Sequence, residues 1–202
     1  NVVGWGRQGA RWARPDAPGV SRALAERLHS LGITHAFGML GGGIAPFAAG
    51  LAQSPIRLHS FRHEAGAGFA AIEAYFATNR PAAVVVTTGP GLFNVLNPMM
   101  AARIDGAKVL LISGFTARSQ AGRGAVQETT LQTMPGALVQ PGPLFHDVAI
   151  PEFADELPTI LARLQQGFAR PGGWIAHIGL PISLQCALLE APLPPPSPGW
   201  SY

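Results

Sequence analysis

The chain has 202 residues, 48% of them hydrophobic and 12% charged, with a formal net charge of +3 at neutral pH. That length suits one large domain with a full core, and no apolar run is long enough for a membrane-spanning helix. A pI near 9.8 raises the case for nucleic acid, yet the basic residues are scattered singly and all but Lys108 are Arg. Only Arg7, Arg11 and Arg14 group together, interleaved with Trp5 and Trp12, too sparse for a nucleic-acid footprint. No secretory leader pattern is present, and the lack of a starting Met points to a trimmed or excerpted N-terminus. The single Cys186 excludes an intrachain disulfide and fits a reducing cytoplasm. So apolar a composition also leads us to expect a surface partly covered by another subunit.

Along the chain, helical and extended patterns alternate. Val20, Leu24, Leu28 and Leu31 follow a helical spacing that Gly32 stops. Thr34 to Phe37 reads as a strand entering a glycine-rich turn, Ile44 to Gln53 as a helix, and Ile56 to Phe61 as a second strand. His63 to Asn79 is helical, rich in Ala, and ends before Pro81. The β-branched run Ala82 to Thr88 suits a strand covered on both faces. Pro90 to Ala102 predicts one helix with Pro near its start, and Lys108 to Ser113 another buried strand.

Residues 114–143 form a connection too long to be ordinary, so a functional or partner-bound loop is expected. Phe145 to Ile150 reads as a strand, Pro151 to Ala169 as a helix and Gly173 to Ile178 as a last strand. From Pro181 the chain is Pro-rich and should run as an extended arm. The alternation predicts an α/β fold: a parallel sheet of about six strands with helices on both faces. The expected layout is an N-terminal extension (1–19), one domain (20–181) and a Pro-rich tail (182–202).

In such sheets ligands bind at the carboxyl ends of the strands. Three candidate features fall there. One is Gly38-Met39-Leu40-Gly41-Gly42-Gly43, a second is Arg62-His63-Glu64 followed by small residues, and the third is Thr88-Gly89-Pro90-Gly91. Each alone reads as a tight turn, or for Glu64 as an acid complementing a helix N-terminus. A dinucleotide fingerprint is not formed, because Asn94 occupies the third glycine position and no acid ends the next strand. His29, His35, His59, His146 and His177 share no metal-ligand spacing.

The ordered motifs resemble the pyrimidine-binding (PYR) domain of thiamine diphosphate enzymes of the acetolactate synthase and pyruvate oxidase type. The resemblance runs from about Val20 to Pro181. It is carried by Gly32-Ile33-Thr34-His35-Ala36-Phe37-Gly38 with the glycines at 41–43, Arg62-His63-Glu64, and Thr87-Thr88-Gly89-Pro90-Gly91 with Asn94. Val126-Gln127-Glu128 and Arg170-Pro171-Gly172-Gly173 complete it.

This resemblance implies that Glu64 hydrogen-bonds N1′ of the cofactor's aminopyrimidine. A proton shared there favours the imino tautomer at the 4′ nitrogen, which can then deprotonate C2 of the thiazolium. Pro90 and Asn94 match positions lining the pyrimidine, and Met39, Gly41 and Gly42 match the loop facing the thiazolium. Gln127 matches a glutamine reaching the active site from the long loop, though a solvated loop amide is the plain alternative. His63 is expected to orient its turn and not to act as a base.

The departures from the family pattern also carry meaning. Leu40 stands where Pro is usual and Ala65 where Gln is frequent, which makes the pocket more apolar. No Gly-Asp-Gly with a downstream Asn pair is present to hold Mg²⁺ and diphosphate, and Ile104-Asp105-Gly106 lies at the wrong place. The expectation is therefore a split enzyme, with no metal ligands on this chain. A separate diphosphate-binding subunit would hold Mg²⁺, and the two would pair as an α₂β₂ heterotetramer. A non-catalytic assembly module and a fragment of a longer enzyme are the alternatives. The implied reaction is decarboxylation of a 2-oxo acid with carboligation, and simple decarboxylation is the runner-up.

Overall fold

The structure, a computed structural model, describes residues 19–202. The Arg and Trp cluster at the N-terminus lies outside the described residues. Six strands form one sheet: β1 (His35–Met39), β2 (Arg57–Ser60), β3 (Ala82–Val86), β4 (Lys108–Phe115), β5 (Asp147–Ala149) and β6 (Trp174–Pro181). The order is β2-β1-β3-β4-β6-β5, and every pairing is parallel. All eight residues of β4 and all eight of β6 are buried, as their continuous apolar runs require for strands covered on both faces.

The helices are α1 (Val20–Ser30), α2 (Ala45–Ala52), α3 (Glu64–Thr78), α4 (Pro90–Asn94), α5 (Leu96–Asp105), α6 (Gly136–Val139), α7 (Leu157–Ala169) and α8 (Ile182–Gln185). One core layer packs Leu24, Leu28, Phe47, Leu164 and Phe168 from α1, α2 and α7 against the sheet. The other packs Ala67, Ala71, Met99 and Leu138 from α3, α5 and α6 on the opposite face. Full burial of a side chain of the Phe or Leu class stabilises by roughly 1.5–3 kcal/mol.

Four expectations needed correction, the first being the helix expected from Pro151 to Ala169, which becomes α-helical only at Leu157 after a 3₁₀ turn at Ala154–Glu156. The helix expected over Pro90 to Ala102 is two, broken at Val95. Pro98 has no N–H to offer the carbonyl of Asn94, so the ladder fails one turn before the proline. The strand expected from Phe145 to Ile150 pairs only over Asp147–Ala149, since β5 is an edge with β6 on one side alone. The Pro-rich segment expected to run extended from Pro181 starts instead as the short helix α8 (Ile182–Gln185) and then packs on the domain. Leu189 and Leu193 are buried in the first core layer, and Arg27 Nε donates to the Leu193 carbonyl at 3.0 Å. At the chain end, the Tyr202 ring lies 5.4 Å from Lys108 Nζ, a cation–π contact.

Candidate active site

Strand order reverses around β1: the chain leaves β1 for β2 on one side and returns through α3 to β3 on the other. A crevice opens at the carboxyl ends of strands flanking such a switch point. The glycine turn after β1, the start of α3 and the turn after β3 all lie there.

His63 is the N-cap of α3, and its Nδ1 accepts from the Ala65 N–H at 3.1 Å. The cap sets the helix start so that Glu64 is its first residue. Glu64 is only 5% exposed. Its Oε2 accepts from Asn94 Nδ2 at 3.1 Å, while no hydrogen bond to Oε1 forms among the described residues. A Cβ on Gly91 would stand 3.1 Å from Oε1, so the small residue in the Gly-Pro-Gly turn lets the helix bearing Asn94 approach the acid.

Gly89 has φ 61° and ψ −113°, a conformation that L side chains avoid. The turn it makes starts α4 at Pro90 and aims Asn94 at Glu64. Gln127 lies against Gly89, and its Oε1 accepts from Thr88 Oγ1 at 3.3 Å. Gln127 itself has φ 53°, a strained left-handed backbone for a residue other than glycine. Two hydrogen bonds close its loop at the base: Thr116 N–H to the Thr129 carbonyl at 3.2 Å and Thr129 N–H to Thr116 Oγ1 at 2.9 Å. Residues 117–128 are thus an excursion with pinned ends, and Gln127 stands beside one of the pins.

A cleft of about 510 Å³ follows from this arrangement. Gly89, Pro90, Phe93 and Asn94 form one wall, and Gln127, Glu128, Thr133 and Met134 form the other. The structure therefore brings Glu64, Pro90, Asn94 and Gln127 into one connected set. Met39, Gly41 and Gly42 share the carboxyl edge of the sheet but do not line this cleft. Met39 is exposed at the end of β1. Gly41 is packed so that a Cβ would meet Thr87 Oγ1 at 2.9 Å, whereas Gly42 faces open space.

Sequence reasoning missed several members. Phe93 lies inside a motif it used, but nothing in the motif gives an aromatic there a role. Thr133 and Met134 come from an irregular segment without periodicity. Gln185, buried in α8, was hidden in the tail. Its Nε2 donates to the Gly43 and Leu180 carbonyls at 2.9 and 2.7 Å, and its Oε1 accepts from the Phe47 N–H at 3.2 Å. It thereby fixes the glycine turn from below.

The histidines divide by environment. His177 is fully buried, with Nδ1 against the Leu138 carbonyl at 2.7 Å and Nε2 against Ser113 Oγ at 2.8 Å. Burial pushes it down to about 4, partly opposed by the Leu138 contact. His35, 2.9 Å from His59, is lowered by burial, then by the charges of His59 and Arg57. His146 is lowered by burial, then by Arg103. Among the described residues no three His, Cys, Asp or Glu side chains converge on a possible metal position.

Residues 19–134 match the family model described as the thiamine pyrophosphate enzyme N-terminal TPP binding domain. The chain belongs to this thiamine pyrophosphate enzyme family. It is 31% identical over 185 residues to the mitochondrial acetolactate synthase of Schizosaccharomyces pombe, covering 89% of this chain and 27% of that protein. Over 106 residues it is 36% identical to 2-hydroxyacyl-CoA lyase 2 of Danio rerio, covering 52% of this chain and 17% of that one. A solved structure described as a thiamine diphosphate-dependent 4-hydroxybenzoylformate decarboxylase of Rhodococcus jostii superposes with a TM-score of 0.73 at 20% identity, over 84% of this chain and 31% of that one. That likeness shows the fold, and the expected six-stranded parallel sheet with flanking helices agrees with it. The chain spans about a quarter of the length of the acetolactate synthases it matches.

Proposed function

We propose that this chain supplies the pyrimidine-facing half of a thiamine diphosphate-dependent enzyme that decarboxylates a 2-oxo acid and ligates the product to a second carbonyl. The observation that carries the reading is Glu64: a buried carboxyl on the first turn of α3, held through one oxygen by Asn94 and left with the other unpaired. Oε1 is not a sealed, unsatisfied atom, because the buried unpaired side-chain atoms among the described residues are Thr129 Oγ1 and Trp200 Nε1; it is open to a ligand, and an aminopyrimidine nitrogen is a group that would pair with it. Thiamine diphosphate, when bound, supplies the electron sink for cleavage next to a carbonyl. Glu64 would hold the proton at N1′, Asn94 would keep the carboxyl in register, and Pro90 would present an apolar ring edge to the pyrimidine. Gln127 would offer its Nε2 to the substrate.

Diphosphate and Mg²⁺ are assigned in this reading to a diphosphate-binding unit outside the described residues, proposed as a separate subunit in an α₂β₂ assembly, where oxygen ligands would hold the hard cation. A row of exposed apolar side chains supports a protein partner: Phe69 and Phe76 on α3, with Met100 and Ile104 on α5. Gly68 and Pro98 bring these two helices together, so the four exposed side chains crown adjacent helices as an apolar face that a partner would cover. The likeness to a 2-hydroxyacyl-CoA lyase favours a lyase without ligation as the second reading. A cytoplasmic location completes the proposal, in which the exposed thiol of Cys186 would stay reduced. No described helix is long and apolar enough to cross a membrane.

The test is Glu64→Gln in the assembled enzyme, with calorimetric titration of thiamine diphosphate and Mg²⁺ into the chain alone and with its partner. The expected results are a fall in turnover of about 10²- to 10⁴-fold, and tight cofactor binding only with the partner. Full activity of the variant would make the domain an assembly module, and tight binding by the chain alone would refute the divided site. Products formed from pyruvate distinguish ligation from release of aldehyde.

A further inference from the structure

The cleft under Gln127 has a chemical character that Glu64 does not explain. Pro90, Phe93 and Met134 give it apolar walls. Its polar groups are largely engaged already. Thr133 Oγ1 pairs with Thr130 Oγ1 at 3.0 Å, Gln127 Oε1 with Thr88, and Asn94 Nδ2 with Glu64. Among the described residues no Arg, Lys or His lines it, and the one charged side chain is the carboxylate of Glu128, which accepts from the Gly122 N–H at 2.5 Å. About 510 Å³ is room for a small organic group, within the range of ligand clefts.

We propose that this cleft seats the uncharged, apolar substituent of the substrate, with Phe93 and Met134 as specificity-determining walls, and that Glu128 turns the substrate's carboxylate away from this chain. The proposal rests on the thiamine diphosphate reading above, because Pro90 and Asn94 are shared between the two. Three physical arguments carry it. An anion entering the cleft would meet a like charge and, among the described residues, no cation, which disfavours it wherever water is partly excluded. The exposed Phe93 ring offers an uncovered face to a flat apolar group. Met134, itself only 8% exposed and packed in the second core layer, lines the cleft; unbranched and polarizable, it adjusts to the shape that enters. Among the described residues the Nε2 of Gln127 makes no hydrogen bond, and Gln127 lines the cleft, where that N–H would meet a neutral carbonyl oxygen.

The chain has four methionines, Met39, Met99, Met100 and Met134, so ¹³C-methyl-methionine NMR of the full chain reports on this cleft without cofactor or turnover. The probes are benzamide and benzoate, which share a shape and differ in charge. Benzamide is expected to shift Met134 saturably and leave buried Met99 in place, while benzoate binds about tenfold more weakly or less. Glu128→Gln keeps an oxygen for the Gly122 N–H, and it should bring benzoate to within about threefold of benzamide. Phe93→Ala, at an exposed position, should weaken benzamide by about tenfold with the Met99 resonance unchanged as a check on folding. Equal binding of benzoate and benzamide by the native chain, or a Met134 resonance that does not move, would overturn the proposal. Neither outcome touches the Glu64→Gln result, and loss of the cofactor reading leaves the NMR result standing.

Discussion

Acid should loosen this domain through His177. An ordinary histidine takes up its proton near 6.5, whereas burial holds folded His177 unprotonated down to about 4. Between those two values the unfolded chain binds the proton and the folded chain does not, so lowering the pH favours unfolding. At about 1.4 kcal/mol per pH unit the loss sums to about 3 kcal/mol between pH 7 and pH 4, and it levels off below. Urea unfolding at unit pH intervals measures it, with His177→Gln as the comparison because His35 and His146 are also lowered and add their own slopes. The difference in stability between native and variant chains should shrink as pH falls from 6.5 toward 4. Parallel profiles over that range would refute the reasoning. The effect reaches the site, since His177 ties β4 (through Ser113) and β6 to the Leu138 carbonyl of α6, just beyond the segment that carries Gln127.

Other outcomes follow from particular contacts. Gly114→Ala would drive a Cβ into the Gly43 carbonyl; a loss of about 1–3 kcal/mol in urea unfolding is expected, with weaker cofactor binding as the glycine turn shifts. Gln185→Leu strands the Gly43 and Leu180 carbonyls and the Phe47 N–H, and its thermal unfolding should reveal a cost of about 3 kcal/mol. Ile104→Asp, on the exposed face of α5, should leave the isolated chain within about 0.5 kcal/mol of native stability. Analytical ultracentrifugation with the diphosphate-binding partner should show the assembly lost; an intact complex would remove that face from the interface.

Much of the architecture was legible in local pattern. The continuous apolar runs of β3, β4 and β6, the helical spacing from Val20 to Leu31, and the glycine turns after β1 and β3 are short-range signals. Their alternation is enough to imply a parallel sheet with its ligand edge at the strand carboxyl ends. The break at Val95 was legible in principle, because Pro98 removes a hydrogen bond one turn back. The brevity of β5 was not, because it depends on having a neighbour on one side only.

What the sequence by itself determined is the chemistry available: one acid, Glu64, placed after His63 where a helix begins, with small residues around it. Only the tertiary structure decided what that acid can do. The Asn94–Glu64 bond spans thirty positions, Thr88 meets Gln127 across thirty-nine, and Gln185 reaches Gly43 across 142. None of these pairings leaves a local trace, because a hydrogen bond between distant residues depends on how strands are ordered and how closely helices approach, and both are set by the packing of the two core layers. The cleft is of the same kind. Its walls come from α4, the end of the pinned loop and the segment that follows it, and that largely apolar lining exists only once the fold has brought them together.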